Sequence, residues 1–347
     1  MESLKIFVIL VIIPHSKTQY AVLLPPLPSL PPLPTIPKLS DLAFLQNVDY
    51  DFMSIFQKAQ TFYKTLPDTI KEDVYLAVPE LVRKYGYPCE SHTVTSLDGY
   101  ILTIHRIPYG RYRRPKKVRP TIFVQHGILS SSADWLIPGP GKALGYVLAD
   151  AGFDVWFGNL RGNRYSRQHV KFHPNEGKFW NFSFHEIALN DIPVMMDYIL
   201  NRTNQDKLTY IGHSEGTTVF YVLCSEKPEY NSKISMQLSL SPMAYMNHLL
   251  SPLLHVLARG AVPLGTVASL IGMYEFLPNT QFLAVASRYL CSDNSVTQIL
   301  CTNSYFAICG FNQKQMNSTL LPVIMAHNPG GASTKQLLHY AQEIKSG

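Results

Sequence analysis

The stretch Leu208-Thr209-Tyr210-Ile211-Gly212-His213-Ser214-Glu215-Gly216-Thr217-Thr218 limits the possible folds of this chain more than any other. A strand-like run ends on Gly212-x-Ser214-x-Gly216, and a helical pattern follows at once. A serine at such a junction sits on a sharp turn, and the flanking glycines let strand and helix approach without side-chain clashes. An ordinary glycine-rich turn is the alternative, and the strand-to-helix setting argues against it. A serine hydroxyl is a weak nucleophile, so chemistry at Ser214 requires exposure where a histidine base can reach it.

The surrounding pattern supplies a frame for that turn. Glu80 to Tyr85 reads as a short helix ended by Gly86 and Pro88. His92 to Thr95 and Tyr100 to Ile107 read as strands joined by the turn Leu97-Asp98-Gly99. Thr121 to Gln125 is a buried strand, Lys142 to Ala151 a helix closed by Gly152, and Phe153 to Phe157 another strand. Ser183 and Glu186 form a capping-box signature, and Pro193 must kink the next helix or start a fresh one after Asp191. Leu208 to Ile211, Thr217 to Cys224 and Met236 to Leu240 continue as strand, helix and strand. Strand and helix alternating at crossover spacing predict an α/β fold with a mostly parallel, doubly wound sheet. From Tyr245 onward the spacing is helical, and no strand is expected.

A second element complements the serine turn. Gln125-His126-Gly127-Ile128-Leu129 follows an apolar strand upstream of it. Acyl transfer needs two backbone N–H donors aimed at a developing oxyanion. One comes from the residue after the nucleophile, Glu215, and the other from a loop after an earlier strand, best assigned to Ile128. Neither depends on side-chain identity, so the acidic Glu215 is tolerable.

The N-terminus carries a short charged region, the apolar run Ile6 to Ile13, and then Pro14. That is too short to span a membrane and reads as a signal peptide over residues 1–18. Residues 19–67 hold a Leu-Pro alternation from Leu23 to Pro37, which reads as a polyproline-type spacer. The core is expected over 68–244 and a helical cap over 245–347. The net charge of +6 is concentrated in Arg111, Arg113, Arg114, Lys116, Lys117 and Arg119, read as a solvated loop between strands because Pro115 and Pro120 punctuate it. One basic loop does not make a nucleic-acid surface.

Neither a Gly-x-Gly-x-x-Gly nor a Gly-x-x-x-x-Gly-Lys motif is present, and the five cysteines contain no Cys-x-x-Cys pair. No cofactor and no metal are therefore expected. Cys291 and Cys301, bracketing a short polar turn and helical stretch, are the preferred disulfide. Cys224, in an apolar helix, reads as a buried thiol.

Taken together, the motifs resemble those of the animal acid lipase family, the gastric, lingual and lysosomal acid lipases and their invertebrate relatives. They are Gly86-Tyr87-Pro88, Asp98-Gly99-Tyr100-Ile101-Leu102, Gln125-His126-Gly127, Leu148-Ala149-Asp150-Ala151-Gly152-Phe153-Asp154-Val155-Trp156, Gly158-Asn159-x-Arg161-Gly162-Asn163, Gly212-His213-Ser214-Glu215-Gly216, Cys309-Gly310-Phe311 and His327-Asn328-Pro329-Gly330. The match runs from about Asp68 to the last residue. Members usually carry Gln where Glu215 stands, and the Leu-Pro spacer is foreign to them.

The resemblance implies an α/β-hydrolase with a helical lid that hydrolyses triacylglycerols or sterol esters at a lipid–water interface. It implies a secreted or lysosomal location and supports the Cys291–Cys301 bridge. Asn201 and Asn317 are then expected glycan acceptors, whereas Asn181, among Phe179, Trp180, Phe182 and Phe184, is expected buried and bare. The family's triad acid and histidine lie beyond the motif matching Lys345-Ser346-Gly347. Against the family the chain thus reads as C-terminally truncated, with the last strands of the sheet missing. No acid or base role passes to His248, His255, His327 or His339. The competing expectation is an inactive relative that binds lipid or a partner.

Overall fold

The computed structural model describes residues 9–11, 67–112, 118–246, 248–249, 251, 258, 272–277 and 317–346. Its main sheet has the strand order β1-β8-β7-β4-β5-β3-β2, with β6 paired to β3. The strands are β1 (Ile9–Val11), β2 (Glu90–Thr95), β3 (Tyr100–Ile107), β4 (Thr121–Gln125), β5 (Asp154–Phe157), β6 (Gln168–His169), β7 (Leu208–His213) and β8 (Ile234–Leu240). β4, β5, β7 and β8 run parallel, while β2 and β3 form an antiparallel hairpin on one flank. The expected α/β architecture is present, and the helices cover both faces as a parallel sheet requires.

Residue alternation along the central strands explains the two layers. Ile122, Val124, Val155, Phe157 and Ile211 face a core that includes Leu81 and Val82 of helix α2 (Val78–Lys84) and Tyr146 and Ala149 of α3 (Leu144–Ala151), with Ile70 of α1 (Asp68–Asp73) packed against it. Phe123, Trp156 and Tyr210 point the other way. They meet Met195, Met196 and Ile199 of α4 (Ile192–Thr203) and Val219 and Phe220 of α5 (Glu215–Glu226). Burying each such side chain stabilises the fold by about 1.5–3 kcal/mol, so a one-residue slip of β4 would reverse both layers at once.

Local signals stop and start the helices. Gly152, at φ 105°, closes α3 in the left-handed conformation that a side chain disfavours. The Ser183–Glu186 capping box is formed, a helical turn and a π-helical segment (Ile187–Asp191) follow, and α4 begins afresh at Ile192 with Pro193 in its first turn.

Two expectations need correction. The region from Tyr245 is not helical throughout. Besides α6 (Leu321–His327) and α7 (Thr334–Ser346), it holds β9 (Glu275–Phe276) paired antiparallel with β10 (Ala332–Ser333). Strands of two residues are too short to leave an alternation in the sequence. Val323 and Ala326 join one core layer and Tyr340 the other, so these helices dock on the body of the fold. Arg119, expected in a solvated loop, is buried, with its guanidinium 5.6 Å from the Tyr109 ring centre. Arg111 is exposed as expected, with its guanidinium donating to the Tyr85 carbonyl at 3.3 Å, and residues 113–117, with Arg113, Arg114, Lys116 and Lys117, lie outside the described residues. At the edge of the sheet, Ile9–Val11 pairs antiparallel with β8. No described helix is long and apolar enough to cross a membrane.

Candidate active site

β7 delivers Ser214 to the N-terminal end of α5 at φ 51° and ψ −120°, a conformation that costs free energy for any residue with a side chain. Its neighbours hold it there. The Ser214 N–H donates to the Leu240 carbonyl at 3.0 Å, and the Ser214 carbonyl accepts from the Thr217 N–H at 2.8 Å and the Thr217 hydroxyl at 2.6 Å. The glycine spacing has a direct steric cause. A Cβ on Gly212 would lie 2.6 Å from the Gly216 carbonyl oxygen, and one on Gly216 would lie 2.4 Å from that of Gln125.

The loop after β4 lies against this turn. A Cβ on Gly127 would meet Ser214 Cβ at 2.8 Å and Ser214 Oγ at 3.3 Å. Ile128 follows, partly buried against the core, and Leu129 takes φ 61°. Glu215 is the first residue of α5, so its N–H has no acceptor within the helix. The two assigned donors, on Ile128 and Glu215, thus belong to segments that converge on the serine.

His126 fastens that loop. Its Nδ1 donates to the Gly127 carbonyl at 2.7 Å, while its Nε2 accepts from the Leu160 N–H at 3.2 Å and the Asn163 amide at 3.1 Å. Burial lowers its pKa to about 4, which keeps the ring neutral and able to fill both roles. Asn163 is itself fixed, since its Oδ1 accepts from the Tyr165 and Ser166 N–H groups. From the far side, Asn328 donates to Asp134 Oδ1 at 2.6 Å, Ser130 donates to Asp134 Oδ2, and the Gly330 N–H donates to the Leu129 carbonyl at 2.5 Å. The two motifs Asn159–Asn163 and His327–Gly330, recognisable in the sequence without a role, buttress the loop that carries Ile128.

Met243 and Gln336 left no comparable signal. Ser214 Oγ donates to Met243 Sδ at 3.1 Å. Met243 is anchored through its N–H to the Thr217 hydroxyl at 2.9 Å and through its carbonyl to the Thr218 hydroxyl at 2.8 Å. Gln336 reaches Glu215 from α7, with its Nε2 at 2.8 and 3.0 Å from the two carboxyl oxygens. Glu215 is fully buried, and burial raises its pKa to about 7 despite the opposing hydrogen bond from Gln336.

Of the histidines downstream of Ser214, His248 is exposed, and His327 and His339 are engaged elsewhere. His327 Nε2 lies 3.2 Å from the Asp73 carbonyl, and His339 stacks on Phe184 with Nδ1 3.0 Å from the Ser183 hydroxyl. Among the described residues, no histidine nitrogen hydrogen-bonds to Ser214 Oγ, and His255 lies outside them. Among the described residues, no group of three or more His, Cys, Asp or Glu side chains converges as a metal site would.

Cys291 and Cys301 also lie outside the described residues. Cys89 and Cys224 are free thiols, half-buried, and burial pushes both up to about 12. Asn201 and Asn317 are exposed. So is Asn181, against expectation, because the chain there turns Phe179, Trp180 and Phe182 inward and the asparagine outward.

The chain is similar to known proteins over most of its length. Residues 78–139 match a family model described as a partial alpha/beta-hydrolase lipase region, and residues 120–260 match the alpha/beta hydrolase fold. Lipase 3 of Drosophila melanogaster is 44% identical over 268 residues, which are 77% of this chain and 68% of that protein. The human lysosomal acid lipase/cholesteryl ester hydrolase is 37% identical over 277 residues, 80% of this chain and 68% of that protein. Rat gastric triacylglycerol lipase is 37% identical over 271 residues, covering 78% and 68%. This chain spans 60% to 69% of the length of the curated relatives it matches. A solved structure from Sulfolobus solfataricus, 12% identical, superposes with a TM-score of 0.50 over 73% of this chain and 75% of its own, a likeness that carries the fold alone.

Proposed function

This chain belongs to the animal acid lipase family of α/β-hydrolases, and from that premise we propose that Ser214 is the nucleophile of a lipase that cleaves carboxylic esters of neutral lipids. One observation carries the reading more than any other. The strained Ser214 turn and the Gly127–Ile128 loop are pressed together at van der Waals distance, with Glu215 at the open end of α5. That arrangement suits a tetrahedral intermediate and has no evident use in a plain turn.

In the first step Ser214 Oγ attacks the ester carbonyl carbon, and the Ile128 and Glu215 N–H groups hold the oxyanion. Collapse expels the alcohol and leaves an acyl group on Oγ. Water then releases the fatty acid and restores the serine. A base must take the proton from Oγ and pass it to the departing alcohol oxygen, and among the described residues no histidine nitrogen hydrogen-bonds to Oγ to fill that role. Triacylglycerols or sterol esters, met at a lipid–water interface, are the proposed substrates. The names of the gastric and lysosomal relatives favour them. The same relatives favour a secreted or lysosomal location, with Asn201 and Asn317 as glycan acceptors and Cys291–Cys301 as a disulfide.

The test is hydrolysis of a short-chain nitrophenyl ester, with a fluorophosphonate probe to locate the reactive serine. Turnover lost in Ser214→Ala, with the probe on Ser214, supports the reading. A probe that labels another residue sinks it. Vesicle binding without turnover or labelling favours the inactive lipid-binding alternative.

A further inference from the structure

The side chain of Gln336 is used at both ends. Its Oε1 accepts from the Ser333 N–H at 3.0 Å, while Ser333 Oγ accepts from the Lys335 N–H at 3.1 Å, which together close a capping box at the start of α7. Ser333 is held in turn by its place in β10 and by its hydroxyl, which donates to the Trp180 carbonyl at 2.5 Å. With the oxygen end fixed, the amide nitrogen has one direction left, toward the two Glu215 oxygens at 2.8 and 3.0 Å. Glu215 is 0% exposed and Gln336 3% exposed, so water does not replace the bond when it is lost.

We infer that Gln336 is a positioning residue for the oxyanion hole, holding the Glu215 carboxyl and thereby the Glu215 backbone N–H in line with Ser214 Oγ. The inference rests on the acyl-transfer reading above. It makes the charge of Glu215 matter. A neutral carboxyl leaves the field at the oxyanion unchanged, whereas a carboxylate one residue from Ser214 opposes the charge that develops there. The Tyr340 hydroxyl faces the carboxyl from α7, with Glu343 bearing on Tyr340 from the next turn. His213 precedes the serine, and His126 lies on the adjoining loop. Burial, which raises the Glu215 pKa to about 7, sets the range in which the effect is read.

The experiment follows the rate at which a fluorophosphonate labels Ser214 between pH 5.5 and 8.5, in the full chain, Gln336→Ala and Glu215→Gln, with a thermal melt of each. Gln336→Ala is expected to label about 10–100-fold more slowly at pH 5.5 while still melting cooperatively. Glu215→Gln keeps an amide partner for Gln336 and removes the charge. Its rate divided by that of the unaltered chain should rise about tenfold across the range, a change that general destabilisation does not produce. If Gln336→Ala does not fold, that ratio decides alone. A flat ratio, or an unchanged rate in folded Gln336→Ala, overturns the inference and leaves the acyl-transfer reading standing. Failure of the unaltered chain to label at any pH overturns the reading, and the inference with it.

Discussion

Gly127 and Ser214 touch so closely that a single methyl group on Gly127 would lie 2.8 Å from Ser214 Cβ and 3.3 Å from its Oγ. Neither side can give way easily, because Ser214 is pinned through its N–H to Leu240 and the loop is fastened by His126. Gly127→Ala should therefore displace the proposed oxyanion donors and slow labelling of Ser214 by about 100-fold. The measurement is the second-order labelling rate beside a melting curve. An unchanged rate in a folded variant would remove this loop from the site.

Arg161 is the most heavily bonded charge in the core. Its Nε and Nη2 donate to Asp191 Oδ1 at 2.8 and 2.5 Å, and its Nη1 and Nη2 donate to the Asp98 carboxylate at 2.6 and 2.9 Å. The guanidinium also lies 3.9 Å from the Tyr100 ring centre. Asp191 is fully buried, so removing its charge leaves a cation short of a partner in a dry setting. Asp191→Asn should cost about 3–5 kcal/mol, read as a lower denaturant midpoint at constant slope. A loss below about 1 kcal/mol would mean that Asp98 alone satisfies the arginine.

Acid stability should reflect the buried imidazoles. Burial lowers His105, His126 and His327 to about 4, against 6.5 for a free imidazole. Each depressed histidine contributes stability that is present above about pH 6.5 and lost as the pH falls toward 4. Glu215 acts in the opposite sense. Its pKa is raised from 4.5 to about 7, so its contribution is present below pH 4.5 and lost as the pH rises through 7. His327 lies away from Ser214, and His327→Asn should reduce the pH 4–6.5 slope of unfolding free energy by up to about 1.4 kcal/mol per pH unit. Equilibrium denaturation at several pH values checks this, and an identical slope in the variant would mean that His327 is not buried neutral.

What could be read from the sequence follows from how local each feature is. β4 and β5 were legible because a strand buried on both faces is a continuous apolar run, and the Ser214 turn because its glycines answer a steric demand within five residues. The Gln336–Glu215 bond joins positions 121 residues apart, and only the tertiary fold shows that a capping-box glutamine has its second end in the site. The aromatic neighbours of Asn181 point to burial, yet the asparagine is exposed. Those rings report the direction of their own side chains, and the asparagine between Trp180 and Phe182 faces the other way. Arg119 is buried although its setting reads as a solvated loop, because proline punctuation marks a loop without showing which of its residues folds back under Tyr109.

The outward position of Asn181 leads to a last prediction. Asn181-Phe182-Ser183 fits the glycan acceptor pattern, and the asparagine side chain is open to solvent. Among the described residues, its Oδ1 accepts from the Lys335 ammonium at 3.2 Å, on a side chain that is itself 45% exposed and able to swing aside. Ser183 is buried as the helix cap, but the acceptor pattern is read on the extended chain before that cap forms. Expressed through a secretory pathway, the protein should therefore carry a glycan at Asn181 beside those proposed at Asn201 and Asn317. Intact mass before and after glycosidase treatment measures the total, and Asn181→Gln should remove one glycan's mass while leaving the melting temperature nearly unchanged. An identical mass shift in the variant would show that Asn181 is exposed yet unmodified.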